Sequence, residues 1–318
     1  MTHPHHSMAH PGTHPGASRL SGVIAATPTP LREDGRIDTG RLIEHCLWLL
    51  GPGGCDAVNL LGTTGEAMSF SVGQRLDAMT AVAVSGVPLD RMMVGTGAAA
   101  LDDAVRLTRA ARDLGYAGAL LAPPFYYKGI DDGALASYVA TVIDRAGADG
   151  LRLYLYHIPQ NTGVPYPVDT VRRLRDRHPE TVAGLKDSAG DLAYAREIAR
   201  RLPGFNVFPS SEASLAEAAT AGFAGCISAT TNVTGTLTRE GWLAPGTETG
   251  RQAIARALAI REALARFPLV ASVKWAVAQR TGDPAWTRTC PPLRPLSEGE
   301  TATLAPLLAE LRAWSTGR

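Results

Sequence analysis

From residue 20 onward, short apolar runs alternate with longer stretches whose apolar residues recur at helical spacing. The runs are SGVIAATPTP (21–30), DAVNLLG (56–62), RMMVGTG (91–97), AGALLAPP (117–124), LRLYLYHIP (151–159), TVAGLKD (181–187), FNVFPSS (205–211) and AGCISATTN (224–232), eight in all. GRLIEHCLWLL, DDAVRLTRAARDLG and LAYAREIARRLPG are examples of the helical stretches between them. A run that is apolar almost throughout and is followed by a helix reads as a parallel strand buried on both faces. Eight such units in roughly 210 residues predict a (β/α)8 TIM barrel. A doubly wound open sheet would carry a glycine fingerprint after its first strand, and TPTPLRED has none. After residue 233 the strand rhythm stops. Residues 250–282 and 298–316 read as helices separated by the proline-rich TCPPLRPLS. The expected organisation is therefore a barrel over 19–233 and a C-terminal helical appendage over 234–318.

A TIM barrel carries its chemistry at the C-terminal ends of its strands. Those ends bear Thr63 and Thr64 in GTTGE, Tyr126 and Tyr127 in PPFYYKG, Tyr156, Lys186, Ser210, Ser211, Ser228 and Thr230, all expected to face one mouth. Tyr154, two residues before Tyr156, shares its face and is expected to fill the barrel below. No His, Asp and Glu cluster suited to a metal stands among these ends.

Composition sharpens one position. The chain has only three lysines, Lys128, Lys186 and Lys274. Lys274 lies in a helical pattern and reads as structural, and Lys128 reads as a solvated or rim residue. Lys186 closes an apolar strand. Its plain reading is a salt bridge to Asp187 or a loop carboxylate. Its chemical reading starts from desolvation, which disfavours an ammonium and so favours a neutral amine. Such an amine attacks a carbonyl to form a Schiff base, and the iminium is an electron sink for making or breaking a carbon–carbon bond. A nearby tyrosine hydroxyl can move the protons. Threonine hydroxyls and backbone N–H groups in a glycine-flanked turn can hold a carboxylate.

The remaining composition excludes more than it assigns. The chain has 318 residues and a net charge of +1, which points neither to nucleic acid nor to an anionic membrane. No run of about 18 apolar residues suggests a membrane span. Cys46, Cys55, Cys226 and Cys290 form no CxxC, and Cys46 and Cys226 read as core, in keeping with a reducing, cytoplasmic compartment. Residues 1–18 hold five of the eight histidines, His3, His5, His6, His10 and His14, and read as a disordered leader in preference to a metal-binding tail.

Taken in order, GTTGE (62–66), PPFYY (123–127), Y-x-x-P-x-x-T-G (156–163), G-x-K-D-S-x-G-D (184–191) and ISATTNV (227–233) resemble the dihydrodipicolinate synthase / N-acetylneuraminate lyase family of class I aldolases, over about residues 20–313. The resemblance implies a barrel with a C-terminal helical region, a homotetramer built from tight dimers, and no metal or organic cofactor. It implies that Lys186 forms the Schiff base with a 2-oxo acid and that Tyr156 shuttles protons. Thr63 and Thr64 match the pair that joins the hydroxyl relay and binds the carboxylate. Tyr126 matches the relay tyrosine that crosses the tight-dimer interface in the synthases, and Ile227 a position whose backbone lines the pocket.

Two departures bear on the substrate. True synthases carry an arginine for the carboxylate of aspartate semialdehyde at the place of Asn161. An amide cannot replace that bidentate guanidinium, whose charge-assisted bonds are worth about 1.5–3 kcal/mol each. Ser211 stands where many synthases have glycine, adding a hydroxyl donor. Asn161 suits 2-keto-3-deoxy sugar acids, and 4-hydroxy-2-oxoglutarate aldolases are similar here, so a diacid stays open. The expected partners are a small 2-oxo acid and an aldehyde. The alternatives are 4-hydroxy-tetrahydrodipicolinate synthase, a 2-keto-3-deoxy acid dehydratase and a non-catalytic 2-oxo-acid binding protein.

Overall fold

The structure is a computed structural model that describes residues 19–307. The leader expected over 1–18, and the helix expected beyond 307, lie outside the described residues. Each of the eight apolar runs contains one strand: β1 (Gly22–Ala26), β2 (Ala57–Leu60), β3 (Met92–Gly95), β4 (Gly118–Leu121), β5 (Arg152–His157), β6 (Val182–Asp187), β7 (Asn206–Pro209) and β8 (Gly225–Ser228). All paired strands are parallel, in the order β7-β6-β5-β4-β3-β2-β1-β8. The seam between β7 and β8 is bridged by the Ala224 N–H, which donates to the Val207 carbonyl at 2.9 Å. The fold is the (β/α)8 barrel that the rhythm of the runs predicts.

The intervening helices are α1 (Thr39–Leu50), α2 (Val72–Ala83), α3 (Leu101–Leu114), α4 (Asp132–Ala146), the single turn α5 (Pro159–Thr162), α6 (Val168–Arg177), α7 (Leu192–Arg201) and the short α8 (Ala218–Ala221). Helix α9 (Thr231–Leu243) follows β8 and crosses residue 233, so the boundary drawn there divides one continuous helix. Beyond it come α10 (Glu248–Ala265), α11 (Leu269–Thr281) and α12 (Glu298–Leu304). The stretch 250–282 is two helices rather than one, because Pro268 has no N–H to continue the first.

Strand alternation sorts the core into two main clusters. Val23, Val58, Val94, Leu155, Leu185 and their kind pack outward against the helices. Ile24, Met93, Leu120, Tyr154, Phe208 and Ile227 fill the barrel. Tyr154 lies in the interior as expected and is fully buried. Its ring needs glycine on both sides. A Cβ on Gly118 or on Gly184 would come within 2.8 Å of it. Ser228 and Thr230 do not face the mouth. Ile227 takes the inward position of β8, so Ser228 turns outward. There Ser228, Thr230 and the fully buried Glu212 form a network with Arg261 of α10.

Candidate active site

Lys186 and Tyr156 are direct cross-strand partners at the ends of β6 and β5. Their meeting depends on an irregularity lower in the same pair. Leu153 faces Val182, but Tyr154 faces Gly184, so Ala183 is an extra residue. Val182 and Leu185 both pack toward the helices although they are three apart, while Ala183 joins the interior. The extra residue thereby turns Lys186 into the barrel. Lys186 is 4% exposed. Its Nζ donates to Tyr156 Oη at 3.4 Å and lies 4.5 Å from the centre of the tyrosine ring. Thr63 Oγ1 reaches the same Oη from the turn after β2, at 3.2 Å. Burial by itself pushes the Tyr156 phenol up. The neighbouring Lys186 charge, with hydrogen bonds from Thr63, Ser188 and Lys186, outweighs that and holds it below its ordinary value. The plain reading of Lys186 finds no support: among the described residues it makes no ion pair, and Asp187 points to the opposite face of β6.

Beside this trio a cavity of about 320 Å³ opens, lined by Thr63, Glu66, Arg75, Phe125, Tyr156 and Asn161 among others. Lys186 does not line it and meets it only through Tyr156. Asn161, in α5, is exposed at its rim. Lys128 is exposed, as a solvated or rim residue would be. Its ammonium donates to the Thr162 carbonyl at 2.6 Å and to that of Phe125, clamping the Tyr126 loop to the Asn161 turn.

The turn from Leu61 to Glu66 that presents Thr63 and the buried Thr64 begins and ends in left-handed backbone, with φ of 50° at Leu61 and 55° at Glu66. For residues with a Cβ that conformation costs about 1–3 kcal/mol each. The remaining sequence candidates are more scattered. Ile227 is buried inside the barrel. The Ser211 hydroxyl caps the 3-10 turn Glu212–Ala216 by accepting from the Ala213 N–H. Tyr126 is 73% exposed with its ring edge-on to that of Tyr127, and among the described residues no hydrogen bond joins it to Thr63, whose hydroxyl meets Tyr156. Two participants escaped the sequence reading. Ser188 helps hold the Tyr156 phenol below its ordinary value, and its place in KDS beside the lysine was the available signal. Glu66 pairs with Lys274 inside the protein, and nothing local in GTTGE marks it.

The sequence profile of the dihydrodipicolinate synthetase family matches residues 19–311. The chain belongs to that family. An uncharacterized DapA-like lyase of Chloroflexus aurantiacus is 34% identical over 299 residues, 93% of this chain and 98% of the relative. A 4-hydroxy-tetrahydrodipicolinate synthase of Cellvibrio japonicus is 32% identical over 269 residues, covering 82% and 89%. Among solved structures, the dihydrodipicolinate synthase of Agrobacterium tumefaciens superposes with a TM-score of 0.81 at 27% identity, over 93% of this chain and 98% of that one. As a family member the chain is a lyase that works through a lysine Schiff base on pyruvate. Among the described residues no helix is long and apolar enough to cross a membrane.

Proposed function

We propose that this family member is a pyruvate aldolase acting on 2-keto-3-deoxy sugar acids or related 4-hydroxy-2-oxo acids, with Lys186 as its nucleophile. The observation that carries the reading is the chain Lys186 Nζ–Tyr156 Oη–Thr63 Oγ1, at 3.4 and 3.2 Å. In the cleavage direction the Lys186 amine adds to the C2 carbonyl and water leaves, giving the iminium. Tyr156 moves the protons of these steps and takes the proton of the C4 hydroxyl as the C3–C4 bond breaks. The aldehyde departs, the enamine is protonated at C3, and water releases pyruvate and the free lysine. Thr64 holds the carboxylate, helped by the backbone at Ile227, while Asn161 and Ser211 meet the rest of the substrate. The neutral amide of Asn161 favours a hydroxylated chain over a second carboxylate bound by a guanidinium.

Tyr126 enters this scheme only through a second copy. It is exposed together with Tyr127, and Met68 and Leu293, also exposed, border the cavity. A homotetramer of tight dimers would let the Tyr126 of one copy complete the relay of its neighbour. The residue types and the family together fit a cytoplasmic enzyme.

Borohydride reduction in the presence of pyruvate, followed by peptide mass spectrometry, tests the core of this proposal. A reduced adduct on Lys186 supports it. An adduct on Lys128, or none from folded protein, overturns it. The competing activity is 4-hydroxy-tetrahydrodipicolinate synthase, the name the Cellvibrio relative carries, tested as condensation of pyruvate with aspartate semialdehyde. Turnover of that pair exceeding cleavage of a 2-keto-3-deoxy sugar-acid panel would favour the synthase.

A further inference from the structure

Among the described residues only Leu61 and Glu66 are non-glycine residues with left-handed backbone, and they bracket Gly62, Thr63, Thr64 and Gly65. Such backbone persists where the surroundings over-determine it. At Leu61 the constraint is close packing: a Cβ on Gly95 would fall 2.1 Å from the Leu61 carbonyl oxygen. At Glu66 it is charge. Its carboxylate pairs with Lys274 of α11, and both side chains are fully buried. The other Glu66 oxygen accepts from the Cys290 N–H at 2.7 Å, and Lys274 also donates to the Arg288 carbonyl at 2.5 Å. The segment beyond the barrel therefore grips the last residue of the turn. Thr29 Oγ1 holds the Gly65 carbonyl from the other side, at 2.7 Å. An apolar pair of equal volume would serve packing alone at least as well, because burying both charges forfeits their hydration. What the ion pair adds is a fixed direction for Glu66.

We propose that Glu66 and Lys274 are positioning residues that hold the strained turn so that Thr63 meets Tyr156, which makes α11 part of the active-site scaffold. The assignment rests on the relay role of Thr63 proposed above. Its consequence for rate follows from geometry, since a displacement of about 1 Å can cost about a hundredfold.

The test uses Glu66→Gln, which keeps an acceptor for the Cys290 N–H, and the charge-free double variant Glu66→Gln/Lys274→Met, which leaves no lone buried charge. Hydrogen exchange should rise about tenfold or more in residues 61–67 and stay unchanged in 152–187. Turnover should fall about tenfold to a hundredfold with the variants still melting cooperatively. Adding Thr63→Val to the double variant should then lower kcat no further than Thr63→Val does alone, because coupled residues are not additive. Unchanged exchange in 61–67, or losses that multiply, would overturn the positioning role. If the unaltered enzyme traps no pyruvate, the reaction assigned above fails, while the exchange measurement still decides whether the ion pair holds the turn.

Discussion

Tyr156 and Lys186 face each other across β5 and β6, and so do His157 and Asp187, one residue further on. The two pairs share strands, register and depth along the barrel, yet their environments diverge. The first pair points into the barrel, where Thr63 joins it and a cavity lies alongside. The second points out under the helices. His157 Nδ1 accepts from the Tyr166 N–H at 3.0 Å and its ring stacks on Tyr194 at 4.0 Å, while Asp187 accepts from the Ala189 N–H at 3.0 Å. Burial pushes the His157 imidazole down to about 4 and the Asp187 carboxyl up to about 6. Perturbed titration is thus no guide to chemistry here. The outer pair is as strongly shifted as a catalytic pair would be, but its hydrogen bonds are local and structural, and it borders no described cavity.

Substitutions in each pair should separate their roles. The largest effect belongs to Lys186→Ala, which should abolish pyruvate trapping and lower turnover about a thousandfold or more, as loss of a covalent nucleophile does. Retention of a tenth of the activity would remove Lys186 from the mechanism. Tyr156→Phe should follow, with kcat down about a hundredfold to ten-thousandfold and the fold intact by circular dichroism. In the outer pair, Asp187→Asn should leave kcat within about threefold, and a catalytic role for Asp187 would show as a far deeper loss.

The smallest effects concern stability against pH. For His157 the folded value lies below the ordinary 6.5, so its contribution is complete above 6.5 and is lost as pH falls through 4. For Asp187 the folded value lies above the ordinary 3.8, so stability is lost as pH rises through 6. Each slope amounts to at most about 3 kcal/mol. Between pH 4 and 6 the two oppose each other. Asp187→Asn should therefore uncover a rise of stability with pH across that interval, and His157→Gln a fall, both read by urea unfolding. Parallel slopes in the two variants would show that the groups titrate as one coupled unit.

Much of this was legible along the chain. Apolar runs at regular intervals specify parallel strands wherever both faces are buried, and position at a strand end places Thr63, Tyr156 and Lys186 at one mouth. Ser228 and Thr230 were misplaced for the same reason that the others were found: a strand end has two faces, and a short apolar run does not say which residue takes which. Tyr126 owes its expected place at the mouth to its strand end and its relay role to resemblance alone, and the single chain leaves it in solvent.

By itself the sequence determined the eight strands, their parallel sense and the residue types at their ends, because those follow from local periodicity and the need to bury apolar side chains. Tertiary structure decided which way the lysine points. Counted from Val182, which packs on the helices, strict alternation would place Lys186 outward among them; the extra residue at Ala183 reverses that. Tertiary structure also decided that Glu66 meets Lys274, more than two hundred residues away in the chain. Alternation is a property of the strand, but register and long-range ion pairing exist only once two segments have packed, and no local pattern encodes them.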